Sequence, residues 1–493
     1  MSSDNINSAI AVGALWMLLM RFAVKGIGFV STIILARLLL PEDFGIVALA
    51  MSMYAFIDLI RQFGFGTVLI QRQDATVDHY NTAWSLGLIL SSIAALALYL
   101  LSDSISRFYD DPRLSPVLAV LSLLFLTGAF SNIGVIQFQK EMNFRKEFIF
   151  NFSIKLLSFC ITMSLAFTLR SYWALIYGML GSSFVGLVLS YFMNSFRPRF
   201  GLKEYKEILG FSSWLFLNNM LSFSNQHAQN FLLGKYGGSS ALGMFSVSQE
   251  ISTITTAEIV APVNRAAFPG YAKLANDKEK LTATYLKVLG TIAMMAIPSA
   301  IGLVAIAPTL IPVVLGNKWI GAIELVQLIA IASAFTAINT NSSYIYLALS
   351  KQKINAVINT CRLLILIPLL LLLLPDRKAI GAAEAILCVS CITFPLNQAI
   401  LKRYIPITWR HFFEILHRPL LASLLMFCSV TFYLGYGADG VLPLPSVYSL
   451  VSALMLGGFS YFVFLFLIWL LSGKPDGVEK NVFSYLASAI HGI

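Results

Sequence analysis

This chain is poor in charge. Only 12% of its 493 residues are Asp, Glu, Lys or Arg, against about a quarter in a soluble globular protein. Hydrophobic residues make up 58% and mean hydropathy is +0.78. No soluble core hides that much apolar surface, so hydrocarbon is the expected solvent. Cysteine is scarce too. The five, Cys160, Cys361, Cys388, Cys391 and Cys428, all lie in apolar runs. Cys388 and Cys391 form a CxxC, but a redox or zinc site needs polar surroundings and further ligands, so no disulfide framework and no metal are implied. No HExxH, GxSxG or P-loop pattern occurs, and no connection is long enough to build an active site. An enzyme is therefore not expected, nor a cofactor. The ten-residue alternation of a membrane barrel is also missing. Residues 1–13 hold no Lys or Arg, and Arg21 and Lys25 lie inside the first apolar stretch, so no cleavable signal peptide is expected.

What is present is a series of long apolar runs. A membrane-crossing helix needs roughly 20 mainly apolar residues. Fourteen stretches qualify, at about 14–35, 44–65, 82–101, 115–137, 148–168, 173–193, 211–233, 243–265, 285–306, 322–347, 355–374, 380–400, 419–437 and 446–471. The expected fold class is an all-α polytopic membrane protein. The net charge of +10 would suggest nucleic acid in a soluble protein. Here it sorts by loop, and no nucleic-acid partner is expected. With both termini on one side, the links on that side carry 19 Lys and Arg and the opposite links carry 8. Basic residues collect in cytoplasmic loops, so both termini read as cytoplasmic.

An internal repeat accompanies the even span count. A gapless shift of 198 residues places Trp16 on Trp214, Leu35 on Leu233, Arg37 on Lys235 and Gly45 on Gly243. FRKEFIFN (144–151) and QKINAVIN (352–359) match at a shift of 208. Equivalent spans start from the same side, so the repeat is parallel, an arrangement that puts a substrate path between two halves. The expected organisation is a six-helix lobe over 1–210, a second over 211–404, and two further helices with a tail over 405–493.

Charges inside the spans are the candidate functional residues, because each costs roughly 2.5–3.5 kcal/mol at bilayer depth and normally faces a partner or a wet cavity. Arg21 and Lys25 lie deep in the first span, four residues apart and so on one helix face, which Gly28 and Thr32 continue. Two stacked like charges call for water, an anion or internal ion pairing. Arg61 follows Asp58 by three residues and can pair with it or snorkel. Arg265 follows Pro262 and lies seven residues after Glu258. Lys155 and Arg362 hold nearly equivalent repeat positions. Asp58, Glu250 and Glu258 suit either counter-ions for these cations or ion-coupling carboxylates. The seventh span is rich in amides, including Asn218, Asn219 and Gln226, and Asn219 takes the repeat position of Arg21. Such groups either line a wet path for sugar hydroxyls or hydrogen-bond between helices.

The stretches LARLLLPEDFGIVALA (35–50), FGFGTVLIQRQD (63–74) and IQFQKEMNFR (136–145) carry a resemblance. They are similar to the polysaccharide-transporter family of oligosaccharide flippases, which includes Wzx-type and WzxC-like proteins of the MOP exporter superfamily. The likeness is densest over residues 10–280. It implies two six-helix lobes around a central cavity plus two extra helices, in the bacterial inner membrane. It also implies movement of an undecaprenyl-diphosphate-linked oligosaccharide to the periplasmic leaflet for exopolysaccharide, capsule or lipopolysaccharide. By helix and depth, Arg21, Lys25, Arg61 and Arg265 lie at positions resembling the cavity cations that meet the lipid's pyrophosphate in related lipid-linked sugar flippases. Membrane lipid, a polysaccharide polymerase and export machinery are the further partners implied. Two rival readings differ in their demands. A cation-coupled drug antiporter of the same superfamily needs a net acidic cavity, whereas this N-terminal lobe is basic. A scaffold subunit of a polysaccharide assembly complex needs no mid-membrane charge.

Overall fold

Within hydrocarbon every backbone N–H and C=O must find its partner inside the chain, and a helix does this segment by segment. A computed structural model describes residues 3–61, 65–72, 74–141, 143–206, 213–435, 446–474 and 478–480. Within them, side chains are described except at 3–15, 18, 60, 67, 71, 213–218, 257 and 258. The described residues are helices and short connections. Among the described residues, nine helices are long and apolar enough to cross a membrane, or ten when one bent pair counts as a span. The chain is thus a multi-pass α-helical membrane protein. It divides into two compact units, Met1–Gly243 and Met244–Ile493.

The first unit contains α1 (Ser3–Leu38), α2 (Pro41–Asp58), α3 (Phe65–Gln71), α4 (Val77–Tyr109), α5 (Leu114–Ala129), α6 (Gln137–Lys140), α7 (Phe144–Leu169) and α8 (Trp173–Met193). It also takes the first part of α9 (Ser213–Thr255). The helix ends follow local chemistry rather than hydropathy. Helix α4 runs well beyond the apolar window at 82–101, because its outer turns satisfy their own backbone while Asp103 and Arg107 are exposed. The expected span at 115–137 is broken. Helix α5 stops at Ala129, and the chain bends by 67° into Ile133–Lys140. Asn132 makes the corner: its side chain accepts from the Gly134 N–H (2.9 Å) and donates to the Phe196 carbonyl (2.6 Å). Helix α2 ends at Asp58 and tightens into a 3₁₀ turn over Leu59–Arg61, short of residue 65. Helices α1, α7 and α8 close on Leu35, Leu39, Met163, Ala166 and Ala174.

The second unit contains the end of α9, then α10 (Ala257–Lys273), α11 (Lys278–Val314), α12 (Ala322–Ala348), α13 (Gln352–Leu401), α14 (Trp409–Tyr433) and α15 (Val447–Leu471). Two continuous stretches hide breaks: α9 is non-helical at Gly238 (φ 77°, ψ 178°) and α13 at Lys378 (φ 46°, ψ −122°). A buried polar network ties α10 to α13. The Tyr271 hydroxyl donates to Asn341 Oδ1 (2.8 Å), Tyr285 meets Ser342 (3.1 Å) and donates to Gln398 Oε1 (3.2 Å), and Tyr346 donates to Asn397 (3.0 Å). In an apolar bundle such groups must be satisfied mutually, so the network fixes one packing of these helices. Arg418 of α14 is buried and pairs with the buried Glu479 at 3.0 Å, holding the segment Val478–Lys480 to the bundle.

Candidate cation site in the first unit

Helix geometry sets the site. Arg21, Lys25, Gly28 and Thr32 recur at intervals of four, three and four, which keeps them on one face of α1. Helix α7 runs beside α1, with Trp16 and Phe148 in ring contact at 5.1 Å near one end and the Leu35–Met163–Ala166 core near the other. Between these anchors α7 presents Lys155. Its Nζ lies 3.7 Å, and its Cε 3.9 Å, from where a Cβ on Gly28 would stand. Glycine at 28 leaves space for that ammonium against α1, one turn past Lys25. Arg21 and Lys155 are half-buried and Lys25 is exposed. Two packed helices thus carry three cations along a stripe of about 10 Å, at 1.5 Å of rise per residue. Guanidinium and ammonium groups on one stripe suit a ligand with several phosphate oxygens, the guanidinium by paired donors and the ammoniums as point charges.

Arg61 belongs to a separate cluster. Its Nε donates to Asp58 Oδ1 at 2.8 Å, its Nη2 lies 2.7 Å from the same oxygen, and its Nη1 donates to Ser91 Oγ at 3.2 Å. The guanidinium also covers the Phe125 ring at 5.4 Å. One side chain therefore joins the end of α2 to α4 and α5. Asp58, a candidate counter-ion or ion-coupling carboxylate, pairs with Arg61. The partners Ser91 and Phe125 carried no signal in sequence, because both sit in uniformly apolar helices.

The amides of α9 divide similarly. Asn230 donates to Ser52 Oγ of α2 (3.1 Å), while Asn225 and Gln229 donate to carbonyls one turn back, those of Leu221 (3.0 Å) and Gln226 (2.6 Å). Asn219 is half-buried and Gln226 exposed; the Asn218 side chain lies outside the described residues. The remaining candidates fall beyond or at the end of α9. Arg265 is exposed on α10, between Pro262 and Pro269, beside the buried Asn264, which donates to Thr340 (2.8 Å). Arg362 of α13 has a buried Nε with no hydrogen-bond partner among the described residues. Glu250 is half-buried, and the Glu258 side chain lies outside the described residues. The first-unit cations Arg21, Lys25 and Lys155 come together; Arg61 stands with Asp58, and Arg265 and Arg362 belong to the second unit.

The second unit also holds a cavity of about 330 Å³ with mostly apolar walls, including Ile259, Leu303, Ile306, Met426 and Leu454.

Comparison with known proteins agrees with this architecture. The chain is 24% identical over 417 residues to the lipopolysaccharide biosynthesis protein WzxC of Escherichia coli (strain K12), covering 84% of this chain and 85% of that one. It is 23% identical to the teichuronic acid biosynthesis protein TuaB of Bacillus subtilis (strain 168), covering 86% and 88%. Among solved structures it shares the fold of the lipid II flippase MurJ in an inward closed conformation, with a TM-score of 0.75 at 14% identity, covering 92% of this chain and 99% of that one. An inward-facing multidrug resistance MATE family transporter of the MOP superfamily gives a TM-score of 0.60 at 14% identity, over 80% and 98%. The family model described as polysaccharide biosynthesis protein matches residues 34–324. That match spans more than half of the 493 residues, and the chain belongs to this family of polysaccharide biosynthesis proteins.

Proposed function

We propose that this protein is a flippase that carries an undecaprenyl-diphosphate-linked oligosaccharide across the bacterial inner membrane for surface polysaccharide assembly. The observation that carries the reading is the cation stripe, with the Lys155 ammonium set against Gly28 on the helix face of Arg21 and Lys25. A pyrophosphate is the part of such a substrate least able to enter hydrocarbon, and these cations offset its charge at the depth where it must cross. Arg61, paired with Asp58, ties the end of α2 to α4 and α5 and is a second candidate cation for the head group. Arg265 and Arg362 supply cations from the second unit, and exposed amides such as Gln226 suit sugar hydroxyls. The apolar cavity of the second unit suits part of the lipid chain. The relatives' printed roles in lipopolysaccharide and teichuronic acid biosynthesis support the substrate class.

The rest of the reading follows from loop charge and the repeat. Fourteen passes leave both termini in the cytoplasm. Lobes at 1–210 and 211–404, with an appendage at 405–493, alternate the exposure of the bound head group between leaflets. The protein performs no bond chemistry itself and hands its cargo to a polymerase and export machinery. Replacing Arg21 and Lys25 together by Ala is expected to abolish surface polysaccharide while the protein remains in the membrane at normal level. Wild-type polysaccharide in that strain would reject the assignment.

A further inference from the structure

The link that follows α8 is tied down along its length. From Asn194 to Glu204 it runs beside the first turns of α4, whose side chains accept from its backbone. Asn81, Thr82 and Ser85 are buried on α4. Asn81 Oδ1 accepts from the Arg199 N–H (2.8 Å), Ser85 Oγ from the Gly201 N–H (2.9 Å) and Thr82 Oγ1 from the Glu204 N–H (3.3 Å). The Phe196 ring meets the Tyr80 ring of α4 at 5.6 Å, and the Phe196 carbonyl is the one that holds Asn132 at the bend after α5. Backbone donors paired in this way cost free energy to release, so the link keeps one course and its side chains keep their places.

Between the link and α4 lies a cavity of about 610 Å³, within the roughly 300–1,000 Å³ of small-ligand sites. Its walls include Asp78, Arg197, Arg199, Phe200 and Lys203. The three cations differ in what they already hold. Arg197 donates to the carbonyls of Tyr191 (3.2 Å), Asn194 (2.7 Å) and Phe196 (2.9 Å) and covers the Tyr191 ring at 5.5 Å. It closes the end of α8 and positions the link. Lys203 pairs with Asp78 at 3.1 Å, but the two are 74% and 46% exposed, so water weakens the contact. Arg199 is held by its backbone while its side chain is exposed. The same stretch exposes apolar groups. Phe192, in the last turn of α8, is 81% exposed and Phe200 is 65% exposed, and Leu202 and Tyr205 are exposed too. Helix α8 is long and apolar enough to cross a membrane, so the link that leaves it starts at the level of the lipid headgroups. Exposed rings interleaved with cations at the end of a span are the composition of the membrane interface. A free anion or an acidic protein surface would satisfy the cations and leave the rings in water; an anionic phospholipid satisfies both.

We propose that this cavity seats the headgroup of an anionic phospholipid, with Arg199 and Lys203 on its phosphodiester and Phe192 and Phe200 at the start of its acyl chains. A guanidinium grips two phosphate oxygens at once, and an ammonium adds a movable point charge. The residues are those of α4, the end of α8 and the link after it, none of them in the α1–α7 stripe. The site needs no transported cargo and stands or falls independently of the transport reading.

The test uses the full-length protein in mixed micelles of phosphatidylcholine and phosphatidylglycerol, with retained lipid counted by native mass spectrometry. Wild type is expected to retain phosphatidylglycerol in preference to phosphatidylcholine. A basic residue beside an anionic lipid is worth about fivefold in affinity, so Arg199→Gln and Lys203→Gln should each weaken retention about fivefold and together about twentyfold. The pair Lys273→Gln with Lys278→Gln removes the same charge from exposed positions of the second unit and should leave retention unchanged. Equal retention of both lipids by wild type, wild-type retention by the Arg199–Lys203 double variant, or an equal loss in the Lys273–Lys278 pair overturns the site. Displacement of the lipid by millimolar inorganic phosphate would assign the cavity to a free anion, and displacement by an oligoglutamate peptide would assign it to an acidic protein surface. Either result overturns the lipid assignment.

Discussion

Replacing Arg61 separates a structural cation from a substrate-binding one. The side chain makes three interactions: an ion pair with Asp58 at 2.7 Å, a hydrogen bond to Ser91 at 3.2 Å and a stack on Phe125 at 5.4 Å. The pair is 28% and 21% exposed, so it is screened only in part. Hydrogen bonds between membrane helices average about 0.6 kcal/mol and reach about 1.7, and a cation over a ring adds about 0.5–1. Arg61→Gln should therefore cost about 2 kcal/mol of stability, with about 1 kcal/mol of that as coupling to Asp58. The assay is a double-mutant cycle of Arg61→Gln and Asp58→Asn, unfolded reversibly in mild detergent, with surface polysaccharide scored for each variant. The account expects the single variants to be less stable than additivity with the double variant implies. It also expects transport to fall with stability, less than in Arg21→Gln. Coupling near zero, or full stability with abolished transport in Arg61→Gln, would refute the structural role.

Three further outcomes follow from the same geometry. Tyr285→Phe removes a fully buried hydroxyl that serves both Ser342 and Gln398. It should cost about 1–2 kcal/mol, seen as a lowered unfolding midpoint, and an unchanged midpoint would contradict the network. Glu479→Gln removes the counter-ion of the buried Arg418, which keeps only its bond to the Glu414 carbonyl (3.0 Å) among the described contacts, and should cost about 3–5 kcal/mol, largely restored by the apolar pair Arg418→Met with Glu479→Leu. The single variant remaining as stable as wild type would contradict this. Burial pushes the Asp111 carboxyl up, but hydrogen bonds and charge from Arg113 outweigh it and hold it below the usual carboxylate range. A carboxyl depressed in the folded state stabilises above its unfolded value of about 3.9, and that contribution is lost as pH falls through the folded value. The thermal stability gap between wild type and Asp111→Asn should thus stay constant from pH 7 to about 5 and shrink as pH falls below about 4. A gap that does not change anywhere in the acid range would contradict the pairing.

Hydropathy made the fold class legible because bilayer thickness imposes a run length that few other constraints imitate. Helix ends were less legible. A hydropathy window stops where apolar residues thin out, whereas α4 and α11 continue as helix beyond it, and the bend after Ala129 depends on one side chain, Asn132, finding a carbonyl 64 residues away. The helix face of Arg21 and Lys25 could be read from spacing alone. That Lys155 joins it could not, because the pairing of α1 with α7 is tertiary and Gly28 gives no outward sign of the ammonium it accommodates. Asp58 and Arg61 are three residues apart, so their pairing was one of two readings that local spacing allowed.

The central claim is that the cation stripe of α1 and α7 carries a pyrophosphate through the bilayer. Its most direct measurement is translocation of a fluorescent undecaprenyl-diphosphate oligosaccharide in proteoliposomes, comparing wild type with Arg21→Gln, Lys25→Gln and Lys155→Gln singly and together. The account predicts a loss with each substitution and none of the activity left in the triple variant, with folding and reconstitution unchanged. Wild-type translocation by the triple variant would contradict it.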